Sequence, residues 1–266
     1  MNPQYGFLID LDGTMYAGRQ RIPYANEFIV LLKELGLPYL FVTNNSSRTP
    51  EAVAEHLRHM HIPAEAEEVV TSSQAAAEYI AETYGRGTGV FVVGEEGLRL
   101  ALEETGLRLV DNAPDVVVQG IDRAFNYDTL SRAAGFIRDG AKYVLTNPDR
   151  MLPADGKLHP GAGSLSAAIQ SASGIHPTVI GKPHEPIMQH ALRQLPKTDQ
   201  VWVVGDNLWT DIAAGAGAGL RTALVLTGLA TKDNVKSQIE LSGVTPDRIA
   251  DHLMQLAEQL MLLPQG

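Results

Sequence analysis

The stretch Phe7-Leu8-Ile9-Asp10-Leu11-Asp12-Gly13-Thr14 decides the fold expected for this chain. Its apolar residues are typical of a short strand that is buried on both faces, as in a parallel sheet. Residues two apart in a strand project to the same side, so Asp10 and Asp12 leave the strand end together. Two neighbouring carboxylates repel each other, and a hard divalent metal such as Mg²⁺ would compensate them with oxygen ligands. The simpler alternative is a strand that runs into a solvated Asp-Gly turn.

The composition is that of a globular protein with an ordinary hydrophobic content. The chain has 266 residues, of which 44% are hydrophobic and 20% charged, enough for one large α/β domain or two smaller ones. The formal net charge of -10 argues against nucleic acid as a partner, because such binding needs a basic surface. No cysteine is present, which excludes disulfides and thiolate catalysis and fits a cytoplasmic location. We also expect neither a signal peptide nor membrane association, since no stretch reaches the ~18 apolar residues of a span.

Strand and helix patterns alternate after the opening stretch. An amphipathic helix pattern surrounds residues 27–35, and a second apolar strand over 38–43 ends in the polar run Thr43-Asn44-Asn45. A β-α-β-α order predicts an α/β fold with a Rossmann-like parallel sheet and right-handed crossovers. Ligands of such sheets bind beyond the carboxyl ends of the strands, where the aspartate pair and this polar run are expected.

The middle of the chain predicts a second α/β unit. Apolar strand patterns at 89–94, 115–120 and 141–146 alternate with helix patterns at 96–105, 127–138 and 164–173. The stretch Thr146–Gly163, rich in Asn, Pro, Asp and Gly, predicts a long loop, and long loops are often functional.

Strands with polar ends return in the last third of the chain, at 178–183, 200–207 and 221–228. They resemble the two opening strands more than those between. We therefore predict a discontinuous core, residues 1–74 and 179–266, with an inserted α/β domain at residues 75–178, a plausible size for a domain.

Polar residues at the predicted strand ends form a set suited to phosphoryl transfer. They are Asp10 and Asp12, Thr43 with Asn44, Lys182, Asp206 and, one helical turn later, Asp211. A metal and a lysine can neutralise phosphate oxygens, while hydroxyl and N–H groups bind the others. One carboxylate can attack phosphorus, and a second can protonate the leaving oxygen and later activate water.

Four motifs carry a resemblance to a known family. DLDGT (10–14), VTNNSS (42–47), GKP (181–183) and GDNLWTDI (205–212), in this order, resemble those of the haloacid dehalogenase-like phosphatase superfamily. The chain is similar in particular to the branch with a large α/β cap between the second and third motifs, which includes nucleotide, sugar, p-nitrophenyl, pyridoxal-phosphate and phosphoglycolate phosphatases. The resemblance covers nearly the whole chain. It implies a Mg²⁺-dependent phosphatase that acts on small phosphorylated metabolites.

The resemblance also implies a role for each motif residue. Asp10 would be the nucleophile and a Mg²⁺ ligand, and Asp12 the general acid/base that ligates the metal through its backbone carbonyl. Asp206 would complete the direct protein ligands, with Asp211 nearby to hold a metal-bound water or Lys182. The residues that would bind the phosphoryl group are Thr43, Asn44, Asn45 and Lys182. Asn147 and Asp149 lie where the family's substrate-facing cap loop would be, and the cap could supply a homodimer face.

Two other functions use the same residues. A phosphotransferase or mutase would pass the phosphoryl group from Asp10 to another hydroxyl instead of water. A non-catalytic phospho-receiver would keep it on Asp10, although Asp12 disfavours this function because a general acid/base would promote hydrolysis of the phosphorylated state. His56, His59 and His61 could suggest zinc, but they end an amphipathic helix and no further ligand is evident.

Overall fold

The structure, a computed structural model, describes residues 4–154 and 157–263. The chain packs as two units, which we call the first unit (residues 1–43, 53–69 and 191–266) and the second unit (residues 44–52 and 70–190). Both are α/β structures built on parallel sheets, so the predicted fold class is confirmed. The predicted domain limits near residues 75 and 178 stay a prediction.

The strands, numbered along the chain, are β1 (Tyr5–Ile9), β2 (Tyr16–Ala17), β3 (Gln20–Arg21), β4 (Tyr39–Thr43), β5 (Val69–Thr71), β6 (Gly89–Val93), β7 (Arg108–Leu109), β8 (Val116–Gln119), β9 (Lys142–Leu145), β10 (Met151–Ala154), β11 (Lys157–Pro160), β12 (Thr178–Val179), β13 (Gln200–Gly205), β14 (Arg221–Val225) and β15 (Arg248–Ala250). The α-helices are α1 (Ala25–Glu34), α2 (Pro50–His59), α3 (Ser72–Tyr84), α4 (Glu96–Glu104), α5 (Tyr127–Arg138), α6 (Ala162–Ser173), α7 (Glu185–Gln194), α8 (Ala213–Gly217), α9 (Val235–Ser242) and α10 (Leu253–Gln259). A 3₁₀ turn covers Ala66–Glu68 and a π-helical turn Leu208–Ile212. Among the described residues, no helix combines the length and the apolar character needed to cross a membrane.

The larger sheet has six strands in the order β15-β14-β13-β1-β4-β5. Strand β1 runs parallel to β13 on one side and to β4 on the other. Its last residue, Ile9, pairs with Val204 of β13 and with Phe41 of β4, so these three strands end close to one level. The residues that follow them are therefore gathered at one edge of the sheet, which is where parallel sheets bind ligands.

The apolar residues of the opening stretch lie in the core of the first unit. Phe7, Leu8, Ile9 and Leu11 are fully buried, as expected for a strand covered on both faces. The ring of Phe7 packs edge-on against Phe28 of α1, with centroids 5.9 Å apart. Full burial of one such side chain stabilises a fold by about 1.5–3 kcal/mol. This packing anchors β1 and so fixes where the aspartate pair leaves it.

The second unit is built on a five-stranded parallel sheet in the order β12-β9-β8-β6-β7. Val117 of β8, Tyr143 of β9 and Ile137 of α5 are part of its core. The Tyr143 hydroxyl donates to Gln119 Oε1 and shares a hydrogen bond with Ser166 Oγ, both at 2.9 Å. Burial raises the pKa of Tyr143, so this hydroxyl stays neutral within a satisfied polar network.

The sequence pattern placed one strand in the wrong sheet. Residues 178–183 are predicted to be a core strand, but the strand is limited to β12, and it pairs with Val144 and Leu145 of β9 in the five-stranded sheet. Pro183 cannot donate a ladder hydrogen bond, which limits how far an apolar pattern can continue as a strand. Lys182 therefore follows a strand of the second unit's sheet.

The prediction of a long loop over Thr146–Gly163 was also wrong in part. Strands β10 and β11 pair antiparallel within it, with Met151 opposite Pro160 and Ala154 opposite Lys157. Prolines at 153 and 160 favoured a loop in the sequence, but a two-stranded hairpin tolerates proline because each strand has an unpaired edge.

Candidate active site

Asp10 is the first residue after β1 and still takes part in strand pairing. Its backbone N–H donates to the carbonyl of Val204 at 2.8 Å. The hydroxyl of Thr14, which is fully buried, donates to Asp10 Oδ2 at 3.4 Å. Sheet pairing on one side and the Gly-Thr turn on the other therefore restrict the position of this carboxylate.

Asp206 follows the neighbouring strand β13 and is only 3% exposed. Its Oδ2 accepts a hydrogen bond from the Leu229 N–H at 2.6 Å, and its backbone carbonyl accepts one from the Ala230 N–H at 3.0 Å. The loop after β14 thus supplies two backbone donors to this residue. These two hydrogen bonds hold Asp206 from the backbone, and the first orients its buried side chain.

Asp211 lies on the π-helical turn and is 1% exposed. Asn207 caps this turn, since its Oδ1 accepts the Trp209 N–H at 2.9 Å. The Asn207 N–H donates to Asp211 Oδ2 at 3.2 Å, and the Asp211 N–H donates back to the Asn207 carbonyl at 3.0 Å. The turn therefore orients the Asp211 carboxylate from the backbone.

These three aspartates form a carboxylate cluster. Each of Asp10, Asp206 and Asp211 offers one oxygen, and the three oxygens lie within 4.8 Å of one another. Three partly or fully buried carboxylates at this separation repel strongly unless a cation lies between them. Oxygen-only donors suit a hard divalent cation, so the residues present fit a metal of that kind.

Two glycines make room for the cluster. Gly13 has φ +87°, and a Cβ atom there would overlap the Asp206 carboxylate; a Cβ atom at Gly228 would overlap the same group. The hydroxyl of Thr227, next to Gly228, donates to the Gly13 carbonyl at 2.7 Å and joins the two loops. Glycine is therefore required at Gly13 for both its conformation and its size, and at Gly228 for its size.

Asp12 has a different environment from Asp10. Asp12 is exposed, and the hydroxyl of Tyr16 donates to its Oδ2 at 3.2 Å. The backbone folds back over this segment, because the N–H groups of Met15 and Tyr16 both point to the Leu11 carbonyl, at 2.8 and 3.2 Å. One aspartate of the pair thus joins the carboxylate cluster, while the other faces solvent beside a tyrosine.

Thr43 ends β4 in the first unit and is 4% exposed. Strand β4 runs beside β1, since Phe41 pairs with Ile9. Thr43 therefore lies at the carboxyl end of the strand next to the one that Asp10 follows. In the first unit, Asp10, Thr43 and Asp206 therefore lie at or directly after the ends of adjacent strands, with Asp12 two residues after Asp10 and Asp211 on the turn that follows Asp206.

The second unit brings together the other predicted site residues. Asn44 Oδ1 accepts the Lys182 N–H at 2.8 Å, and Asn44 Nδ2 donates to the Lys182 carbonyl at 3.1 Å. The same Nδ2 donates to the Asp149 carboxylate at 3.1 and 3.3 Å. Asn147 Nδ2 donates to the Asn44 carbonyl at 2.8 Å. The Asn44 side chain thus braces both Lys182 and Asp149.

Asn45 has a local structural role. Its Oδ1 accepts the N–H groups of Ser47 and Arg48, at 3.0 and 2.9 Å, as in the turns that asparagine favours. Lys182 is only 3% exposed, and Gly181 beside it packs so closely that a Cβ atom would lie 2.6 Å from Asn44 Oδ1. The segments before α2 and before α7 are therefore fitted to each other within the second unit.

Sequence reasoning missed four contributors to the site. Tyr16, Asn207, Gly228 and the Leu229 N–H all contact one of the aspartates. Asn207 lies between the predicted site residues Asp206 and Asp211, and asparagine is a common cap at the start of a helical turn, so its role could have been predicted. The contacts of Gly228 and Leu229 depend on a loop that returns after β14, for which the sequence carries no local signal.

Comparison with known proteins agrees with this architecture. The family model described as haloacid dehalogenase-like hydrolase matches residues 7–108, and a second model, described as HAD-hydrolase-like, matches residues 179–256. The 5'-nucleotidase YutF of Bacillus subtilis is 45% identical over 241 residues, which cover 90% of this chain and 94% of that protein. An acid sugar phosphatase of Staphylococcus aureus is 43% identical over 240 residues, with 90% and 92% of the two chains covered.

A solved structure shows the same fold. The p-nitrophenyl phosphatase from Archaeoglobus fulgidus superposes with a TM-score of 0.90 at 36% identity, covering 97% of this chain and all of that one. The chain belongs to the haloacid dehalogenase-like hydrolase family. Within that family it is one of the large-capped phosphatases, enzymes that hydrolyse phosphoric monoesters.

Proposed function

We propose that this protein is a Mg²⁺-dependent phosphatase that hydrolyses small phosphomonoesters through an aspartyl-phosphate on Asp10. The observation that carries the proposal is the difference between the environments of Asp10 and Asp12, the two aspartates that follow β1. Asp10 belongs to a carboxylate cluster whose oxygens lie within 4.8 Å of one another, while Asp12 is exposed. This difference supports attack by Asp10 at a metal site and proton transfer by Asp12.

The metal would be held by the side chains of Asp10 and Asp206 and by the backbone carbonyl of Asp12. Asp211, whose carboxylate belongs to the same cluster, would bind the metal directly or through water. A bound Mg²⁺ ion would neutralise charge on the phosphate oxygens. The all-oxygen donor set supports Mg²⁺ over the softer transition metals.

The reaction has two steps on this chain's own residues. In the first, a carboxylate oxygen of Asp10 attacks phosphorus and the bond to the leaving oxygen breaks, while protonated Asp12 gives its proton to that oxygen. In the second, Asp12 takes a proton from water, the water oxygen attacks phosphorus, and the bond to Asp10 breaks to release phosphate. Each step then faces a lower barrier than a single displacement by water.

The phosphoryl group would be bound by residues from three motifs. The hydroxyl of Thr43, the ammonium of Lys182 and the backbone N–H groups of Asn44 and Asn45 match the donors that phosphoryl oxygens require. Support comes from the Asn44 side chain, which hydrogen-bonds both backbone groups of Lys182. Asn44 Oδ1 accepts the Lys182 N–H at 2.8 Å, and Asn44 Nδ2 donates to the Lys182 carbonyl at 3.1 Å, so the backbone at Lys182 is held in place.

The substrates would be sugar phosphates, nucleoside monophosphates or related metabolites in the cytoplasm. The names of the two curated relatives, a nucleotidase and a sugar phosphatase, support this range. Asn147 and Asp149 are the proposed substrate-facing residues of the second unit. The Asp149 carboxylate is oriented by Asn44, which would couple phosphate binding to substrate contact. Association into a homodimer stays a prediction.

A phosphate-release screen over a broad panel of aryl, sugar and nucleoside phosphomonoesters tests the proposal. We expect turnover of several panel members with Mg²⁺ and its loss with excess EDTA. Hydrolysis that persists unchanged in EDTA would contradict the metal dependence. Recovery of the phosphoryl group on an added alcohol, with little free phosphate, would identify a phosphotransferase instead.

A further inference from the structure

Tyr16 is the residue that contacts the exposed aspartate of the pair. Its hydroxyl lies 3.2 Å from Asp12 Oδ2, while its side chain is 6% exposed and belongs to the core of the first unit. A buried aromatic ring has few alternative rotamers, because the surrounding core is close-packed. The hydroxyl is therefore presented to Asp12 from a fixed position.

The position of the Tyr16 ring is fixed from two directions. Its backbone carbonyl accepts the Gly13 N–H at 2.7 Å, so Tyr16 closes the same turn that carries Asp12. Its ring packs edge-on against His56 of α2, with centroids 5.1 Å apart and planes at 84°. The turn and the helix together hold the tyrosine in place independently of Asp12.

Asp12, in contrast, is exposed, so packing restrains its carboxylate less than it restrains the ring of Tyr16. General acid catalysis requires the proton at one place, within hydrogen-bond reach of the leaving oxygen. We propose that Tyr16 is a positioning residue, whose hydroxyl holds Oδ2 of Asp12 and so directs the other carboxyl oxygen, Oδ1, to carry the proton to the leaving group.

The inference rests on the proposed function and adds a separate role for each of the two carboxyl oxygens of Asp12. In the acid form, Oδ2 accepts from Tyr16 and the proton is on Oδ1. As the bond from phosphorus to the leaving oxygen breaks, that proton passes from Oδ1 to the leaving oxygen, and the resulting carboxylate keeps its hydrogen bond to Tyr16. The tyrosine itself gains and loses no proton.

The test compares Tyr16→Phe with wild type on two esters. p-Nitrophenolate is a weak base and leaves with little help from an acid, whereas an alkoxide needs a proton. We expect kcat/KM for the best alkyl phosphate of the panel to fall about tenfold, because part of the 10²–10⁴-fold effect of a general acid depends on its orientation. For p-nitrophenyl phosphate, kcat/KM should stay within about twofold of wild type.

Tyr39→Phe is the matched control. Tyr39 is a buried tyrosine of the same core, at the start of β4 and thus at the other end of that strand from Thr43. We expect both esters to be cleaved as by wild type. Equal losses on both esters in Tyr16→Phe, or no loss on either, would overturn the positioning role. A wild-type protein that cleaves neither ester would overturn the proposed function itself.

A double-mutant comparison keeps the inference testable if Tyr16→Phe is less stable. In an Asp12→Ala background the tyrosine has no carboxylate to position, so adding Tyr16→Phe should lower alkyl phosphate turnover no further. A further loss of the same size as in the wild-type background would show that Tyr16 acts through general packing and would refute the proposal.

Discussion

Gly228 lies directly against the carboxylate of Asp206, so closely that a Cβ atom at this glycine would overlap both Oδ2 and Cγ. The carboxylate cannot move aside freely, because the Leu229 N–H holds the same oxygen at 2.6 Å. The loop after β14 therefore shapes the proposed metal site from outside the four sequence motifs. Gly228 lies outside the four motifs, yet its small size is needed to leave room for the Asp206 carboxylate.

Gly228→Ala should displace the Asp206 carboxylate. We expect the Mg²⁺ concentration for half-maximal activity to rise at least about tenfold, in the range seen when groups that orient metal ligands are removed. Overpacking should also lower the free energy of unfolding by about 1–3 kcal/mol. Gly217→Ala is the control, since open space surrounds that glycine at the end of α8. Metal titrations of the two variants that coincide would contradict the prediction.

Asp10→Asn should abolish phosphate release. The amide keeps the shape of the side chain but is no nucleophile, so we expect kcat to fall by about three orders of magnitude or more. Asp233→Asn, at an exposed aspartate of the first unit, changes the net charge equally and should leave activity intact. Retained turnover by highly purified Asp10→Asn would exclude the aspartyl-phosphate on this residue.

Asp211→Asn should weaken the metal site without destroying it. The amide oxygen can still accept a hydrogen bond, but one charge of the cluster of Asp10, Asp206 and Asp211 is lost. We expect Mg²⁺ affinity to fall about 10–100-fold and activity to recover at high Mg²⁺. Activity measured over a range of Mg²⁺ concentrations checks this. A low maximal rate at saturating metal, with unchanged affinity, would argue for a role in the reaction itself.

Asn44→Ala removes the side chain that braces Lys182 and Asp149. We expect KM to rise and the free energy of unfolding to fall by about 1–3 kcal/mol, because buried backbone groups of Lys182 lose their partners. Asn126→Ala removes the cap of α5, where Asn126 Oδ1 accepts the Thr129 N–H at 3.1 Å. That variant should lose about 1 kcal/mol with KM unchanged. If both variants raise KM equally, the effect reflects stability alone.

Asp247 should make stability depend on pH at the acid end. Burial by itself would raise the pKa of Asp247, but hydrogen bonds from the Thr222 N–H and hydroxyl, and from Arg221, lower it below 3.8. Because the pKa is lower in the folded state, the stabilisation is present above pH 3.8 and is lost as the pH falls through the folded value.

Urea unfolding of Asp247→Asn checks this dependence. Near neutral pH the variant should be less stable than wild type by about 1 kcal/mol, a modest value because Arg221 is largely exposed. The difference should shrink as the pH is lowered below 3.8. A difference that stays constant across this range would show that the Asp247 charge contributes nothing to stability.

The sequence predicted most of the helices and strands because their periodicity is local. The helix pattern at 127–138 matches α5, and the apolar run of the opening stretch matches β1. The sequence patterns failed to predict the structure where the choice of a strand's pairing partner decides it. The residues of β12 were assigned to the wrong sheet, since an apolar run does not specify which neighbour it will pair with. The β10–β11 pairing was missed for a different reason, because the prolines at 153 and 160 favoured a loop in the sequence.

By itself, the sequence determined the fold class, the family motifs and the identity of the carboxylates, because strand patterns and the chemistry of side chains at strand ends are carried by adjacent residues. Only the tertiary structure decided how the environments of the two aspartates after β1 differ. Asp10 joins Asp206 and Asp211, which approach from β13 and the π-helical turn, while Asp12 meets the Tyr16 hydroxyl at 3.2 Å. The environment of a carboxylate depends on residues that are distant along the chain, and these come together only on folding.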